Sequence, residues 1–149
     1  MSYPDQHDGW NPRSADVERF TEGDCHLLAR AIHKRTGWPL CAFKLADSCG
    51  NYIPVDHCFV HAPLPDGQVP FDVMGLWRST YAFNNWWGYS SSGGILIYDT
   101  WNAFLAAGGD IWATPAISSY SYARAGVIAE RLLSHYEIDP RPENVTFLR

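Results

Sequence analysis

Three residues spread along this chain have the types and the order for covalent chemistry: Cys25, His57 and Asp72. Attack of sulfur on an acyl carbon needs a stabilised thiolate, a base that carries the proton and a group that orients the base. Cys25 stands in the stretch EGDCH, where a loop turns into a helix. A helix N-terminus and an imidazolium together lower a thiol pKa from about 8.5 into the range ~3.5 to ~7.5, enough for a sizeable thiolate fraction at neutral pH. His57 would pair with that thiolate and later protonate a leaving amine, while Asp72 would fix the imidazole tautomer. Backbone N–H groups at the start of the same helix, that of Cys25 first among them, would face a developing oxyanion.

Each of these residues has a competitor. A cysteine read alone is a small buried hydrophobe, so the case for Cys25 rests on its helix-start placement and on the spaced histidine and aspartate. His61 competes with His57 for the role of base, because alternation along a strand points His57, Phe59 and His61 to one side and Cys58 and Val60 to the other. A tight turn on Asp66-Gly67 would set Asp72 opposite His61, whereas a looser turn around Leu64, Pro65 and Asp66 shifts the register toward His57. His57 is the expected base and His61 the alternative. A metal bound by both histidines is excluded on a straight strand, where four residues span roughly 13 Å. A site made of Cys25, His57 and Asp72 is chemically open to zinc, but the triad is the expectation, with no metal and no cofactor. His26 is expected at the surface or in a cap, and Asp24 as the helix cap. Cys41, Cys49 and Cys58 read as packing residues.

The elements that must position these groups follow from pattern. Residues 1–13 form an irregular arm with Trp10 as anchor, and Ser14 to Phe20 a short helix. Thr21 to Asp24 supply capping chemistry for CHLLARAIHKRTG, which stops at Thr36-Gly37 ahead of Trp38-Pro39. Leu28 and Ile32 fall on the face of Cys25, which turns the thiol toward the protein body. LCAFKLAD, YIPVDHCFVHA and FDVMG read as strands, with SCGN as a turn and the prolines of PLPDGQVP interrupting the ladder. An aromatic helix, WRSTYAFNNWWG, comes next, its rings assigned to the core with one or two free to line a cleft. Gly93 and Gly94 close a loop with the freedom to hinge. ILIY, the short helix TWNAFLAAGG and a final helix SSYSYARAGVIAERLLSHY, striped by Ala125, Ile128, Leu132 and Tyr136, complete the chain.

The segment GDCHLLARAIHKRTGWPL resembles the nucleophile helix of the transglutaminase-like and papain-like cysteine enzymes, in which a glycine precedes the cysteine and a Gly-x-Pro turn closes the helix. HCFVHAPLPDGQVPFDVMG is similar to the histidine strand, hairpin and aspartate strand of the same superfamily. The resemblance covers roughly residues 21–75. It implies an α+β fold with a nucleophile helix packed on a small antiparallel sheet and further C-terminal helices. It also implies Cys25 as nucleophile, His57 as base and Asp72 as orienting acid.

The bulk composition narrows the partners. At 149 residues, 46% hydrophobic and 18% charged, the chain has the size and mix of a single globular domain over residues 1–149. A net charge of -5 gives no basic face for nucleic acid or an anionic membrane. No secretory signal or spanning segment is seen, which suggests reduced thiols and a cytoplasmic protein or an effector delivered elsewhere. The expected activity is cysteine-dependent cleavage or transfer at an amide bond of a protein or peptide, as a peptidase, amidase, deamidase or acyltransferase acting through a thioester on Cys25. The alternatives are a non-catalytic protein-binding module using the aromatic half, and a zinc-binding domain.

Overall fold

The computed structural model describes residues 9–46, 49–65, 67–88, 94–108 and 119–139. The architecture is mixed α+β, with a small antiparallel sheet of five strands among the described residues. Helix α1 (Ser14–Glu22) leads into α2 (Cys25–Thr36), followed by strands β1 (Leu40–Ala46), β2 (Tyr52–Leu64), β3 (Gly67–Asp72) and β4 (Gly75–Leu76). Helix α3 (Thr80–Trp87), strand β5 (Ile95–Tyr98), helix α4 (Trp101–Ala106) and helix α5 (Ser119–His135) complete it. The sheet order is β4-β3-β2-β1-β5. No helix among the described residues is long and apolar enough to cross a membrane.

Helix α2 is the element that joins the layers, packing against β2 on one side and α5 on another. Cys25, Leu28 and Ile32 are all buried along it, as their spacing predicts. Gly37 ends the helix in the left-handed region at φ 74°, returning its N–H to the His33 carbonyl at 2.7 Å. The N-terminus differs from expectation. Asp24 occupies the cap position, but its side chain makes no capping hydrogen bond. Its carboxylate stands 4.0 Å from the Arg19 guanidinium instead. Helix α1 also runs two residues past Phe20, and its own C-terminal turn brings the Asp24 N–H to the Arg19 carbonyl.

The hairpin of β2 and β3 corrects two expectations. The ladder is not broken at the prolines: pairing continues from Val60↔Phe71 to Leu64↔Gly67, with Pro63 and Pro70 inside it. Pro70 turns its carbonyl, and with it its nitrogen, toward Trp77, whose N–H it accepts at 3.0 Å, so no bond to β2 is forfeited. The register is not the tight-turn one that faces Asp72 with His61; it is shifted toward His57, as the turn around Leu64, Pro65 and Asp66 would shift it, without reaching that residue. Asp66 lies outside the described residues, but the pairing of Leu64 with Gly67 leaves only two positions between the strands. Carried one step past Val60↔Phe71, that register sets Asp72 across from Phe59, midway between His57 and His61. The strand expected at FDVMG begins earlier, at Gly67, and turns at Val73-Met74 into β4. Gly75 sits in that turn at φ 98°, where a Cβ would run into the Tyr136 hydroxyl and the Trp10 ring.

A bulge in β2 sets the place of His57. On β1 the consecutive residues Ala42 and Phe43 face Cys58 and Val55, so Asp56 and His57 are left over. Asp56 takes φ 67°, a conformation in which aspartate is among the better-tolerated residues. Beyond the bulge the alternation is as predicted, with the Phe59 ring 5.7 Å from His57 and 5.9 Å from His61.

The remaining elements close the core. Phe20, Ile32, Leu40, Phe59, Phe71, Phe104 and Leu132 are fully buried. Ala125, Ile128 and Leu132 form the buried stripe of α5, and Tyr136 is partly buried with its hydroxyl accepting the Leu76 N–H at 3.0 Å. Trp10 fastens the stretch before α1 by donating from Nε1 to the Val73 carbonyl at 2.9 Å, while residues 1–8 of the expected arm lie outside the described residues. Cys41 and Cys58 pack as expected, but Cys49 is exposed in the turn after β1. Gly93 lies outside the described residues. Gly94 is held rather than hinged, since its carbonyl accepts the Lys44 N–H at 3.1 Å.

One buried ion pair ties α1 to α5. Asp16 is 2% exposed and accepts from Arg124 at 2.8 and 2.7 Å and from Arg13 at 3.2 Å. The Arg124 guanidinium holds the Asp16 carboxyl below its usual range against the opposing effect of burial. Replacing Arg124 by Met strands that carboxylate and is expected to lower unfolding free energy in urea at pH 7 by about 3 kcal/mol. Because the native pKa is depressed, the pair's contribution is present above the ordinary value of 3.8 and fades as pH falls below it. The gap between wild type and Arg124→Met should therefore narrow in acid, and a gap independent of pH would refute this account.

Candidate active site

The three residues singled out from sequence meet in one buried cluster. Cys25 is the first residue of α2, and its sulfur accepts the backbone N–H of Cys58 at 3.3 Å. His57 comes from the bulge one residue before Cys58 and donates or shares a proton through Nε2 with Asp72 Oδ2 at 2.8 Å. Asp72 ends β3. Its other oxygen accepts the Met74 N–H at 3.0 Å and the Trp77 indole N–H at 2.9 Å. Among the described residues the carboxylate accepts from these three donors, so the histidine that Asp72 meets is His57 and not His61. His61 faces Pro70 across the hairpin, and burial lowers its pKa, with Gln68 opposing that shift weakly.

With Nε2 committed to Asp72, Nδ1 is the ring atom of His57 left for the sulfur. It is buried and makes no hydrogen bond of ordinary geometry among the described residues. The electrostatics follow. Burial opposes ionisation of Cys25, but hydrogen bonding from His26 and His57, the charge on His57 and the Cys58 N–H outweigh it and bring the thiol down to about 6. Burial likewise works against a charged His57, yet the hydrogen bonds and charges of Asp72 and Cys25 raise it to about 9. Between those values the pair is thiolate and imidazolium. Cys41 and Cys58 show the contrast, since burial without a cationic partner pushes both thiols up.

Several parts of this site went unread in the sequence. His26 is not at the surface: it is 1% exposed and is among the groups that lower the Cys25 thiol pKa. Its ring stacks on Trp101 with centroids 6.4 Å apart, and the Arg30 guanidinium covers the indole at 4.9 Å. Trp77, assigned with its neighbours to the core or a cleft wall, is a donor to Asp72; an indole N–H buried five residues past a carboxylate had to find an acceptor, which was the available signal. Trp87 stacks on His57 at 4.3 Å and Phe83 packs beside both. Cys25 exposes 5% of its surface and His57 none, so a substrate reaches the sulfur only when rings of this cover shift. Among the described residues no group of three or more His, Cys, Asp or Glu is arranged to hold a metal ion.

Comparison with protein-family models, with curated proteins and with solved structures finds no match in any of the three.

The charge balance of the pair is directly measurable. In a Cys49→Ser background, which removes the exposed thiol, the rate of iodoacetamide alkylation should rise with a midpoint near pH 6. His57→Ala should move that midpoint toward the ordinary thiol value of 9.0, and a wild-type midpoint already at that value would overturn the ion pair. Trp77→Phe removes one donor from Asp72 and should shift the same profile upward by a smaller step. An identical profile in Trp77→Phe would assign the indole to packing alone.

Proposed function

We propose that this protein is a cysteine-dependent amide-bond hydrolase or acyltransferase with a transglutaminase-like or papain-like scaffold, acting on a protein or peptide. The observation that carries the reading is the convergence of a helix-start thiol, an imidazole and a buried carboxylate, with His57 Nε2 bonded to Asp72 and Nδ1 left for the sulfur. The chain order of the three and the element order around them, helix then antiparallel strands, agree with the resemblance drawn from residues 21–75.

The chemistry balances with the residues present. The Cys25 thiolate attacks the carbonyl carbon, a C–S bond forms, and the oxygen takes the negative charge. The Cys25 N–H at the start of α2 faces that charge. His57 gives its Nδ1 proton to the amide nitrogen, the C–N bond breaks, and the amine leaves a thioester behind. Neutral His57 then takes a proton from water or from an acceptor amine, whose attack forms the new acyl bond and returns the sulfur as thiolate. Water yields a hydrolase product, and an amine yields transfer. Asp72 keeps the imidazole in one tautomer through both halves.

Cys25→Ala should abolish turnover of a peptide-amide library and the acyl adduct seen by intact mass spectrometry, with the fold unchanged by circular dichroism. The rate should follow a bell in pH. The rising limb near 6 reflects formation of the thiolate, and the falling limb near 9 reflects loss of the imidazolium proton needed by the leaving amine. Full activity in Cys25→Ala, or a single limb governed by an unshifted thiol, would discard the proposal.

A further inference from the structure

Away from the thiol, a small cleft of about 220 Å³ opens between α2 and α5. Arg30, Lys34 and Arg35 line it from α2, and Tyr122 and Gly126 from α5. No acidic side chain of the described residues lines it, although the chain as a whole carries a net charge of -5. Positive potential is therefore concentrated locally against the overall sign. Basic residues near a helix C-terminus often serve the dipole, and Arg35 does so by donating from Nη1 to the Ala31 carbonyl at 2.9 Å. Lys34 stands in the same last turn, but that role does not account for Arg30, which lies mid-helix. Among the described residues neither has an ion-pair partner.

Two of the three cations are held in place before any ligand arrives. Arg35 Nε is anchored on Glu130 at 2.6 Å and Nη1 on the Ala31 carbonyl, which leaves Nη2 toward the α5 wall. That atom would lie 3.6 Å from a Cβ placed on Gly126. Arg30 is fixed over the Trp101 ring. Held donors of this kind lose little freedom when they bind an oxyanion, and guanidinium forks suit oxygen pairs. The volume lies below the roughly 300 Å³ at which drug-sized ligands begin, so the occupant is small.

We propose that this cleft binds a phosphate-type oxyanion, free or at the end of a small molecule, through Arg30, Lys34 and Arg35 with the Tyr122 hydroxyl alongside. Arg30 connects the cleft through Trp101 to His26 of the Cys25 site, but the binding proposed here does not depend on the chemistry proposed there.

Amide NMR of the full chain at constant ionic strength tests this, with inorganic phosphate and glycerol 3-phosphate as probes. The Gly126 and Tyr122 signals should move saturably with half-saturation at about 1 mM or below. Tighter binding of glycerol 3-phosphate identifies a small phosphorylated molecule as the source, and equal or tighter binding of inorganic phosphate identifies the free ion. Lys34→Glu, at an exposed helical position, should keep the spectrum of a folded protein and weaken binding by about tenfold or more. It should leave the Cys25 alkylation profile where it was. A linear, unsaturating response at Gly126, or unchanged affinity in Lys34→Glu, would overturn the site.

Discussion

The hydrogen bond between His57 Nε2 and Asp72 joins two side chains that are both nearly removed from water. A carboxylate at that depth is tolerated only while its oxygens stay satisfied, because an unmet buried acceptor costs several times what a typical hydrogen bond contributes. The neighbourhood of Asp72 is built to that requirement. The Val73-Met74 turn folds back so that the Met74 N–H reaches one oxygen, and Trp77 follows the short β4 strand to bring its indole to the same atom. Tyr136 and Trp10, through Leu76 and Val73, hold the turn from the far side. The oxygen left over can then be given wholly to His57.

His57 answers to a second constraint, imposed by the backbone. A regular β2 would keep it in the ladder opposite β1. The bulge at Asp56 takes it out of register while Cys58, the next residue, returns to pairing and points its N–H at the Cys25 sulfur. One irregularity thus delivers an imidazole and a backbone donor to the start of α2. The rings of Phe59, Phe83 and Trp87 then lock the imidazole plane, so its tautomer and direction are fixed by packing as well as by the carboxylate.

Helix α2 was legible because local signals agree along it: a 3.6-residue apolar stripe, a glycine stop and a following Trp-Pro. Cys25 and Asp72 could be singled out because each sits at an element boundary that pattern reveals, whereas His57 lies inside β2 and was singled out by its type and spacing. The hairpin's existence was legible and its register was not, since prolines compatible with pairing look the same in sequence as prolines that break it. The bulge at Asp56 leaves no mark in the alternation of side chains. His26 was misread for a different reason. One-helix periodicity assigns it to an outer face, but α4 arrives from over seventy residues away and covers that face with Trp101, a tertiary effect invisible in a local window. Cys49 likewise resembles its buried namesakes in every respect except the turn it occupies.

The near-complete burial of Cys25 carries a consequence for its survival in an oxidising cell. Sulfurs that ionise readily are the ones peroxide converts first to sulfenic acid, and further oxidation is irreversible. Here the thiol that its neighbours bring down is 5% exposed, while the openly placed thiol is that of Cys49. Ionisation and exposure are thereby uncoupled at Cys25: its neighbours favour the thiolate, while the rings around His57 keep solvent from it.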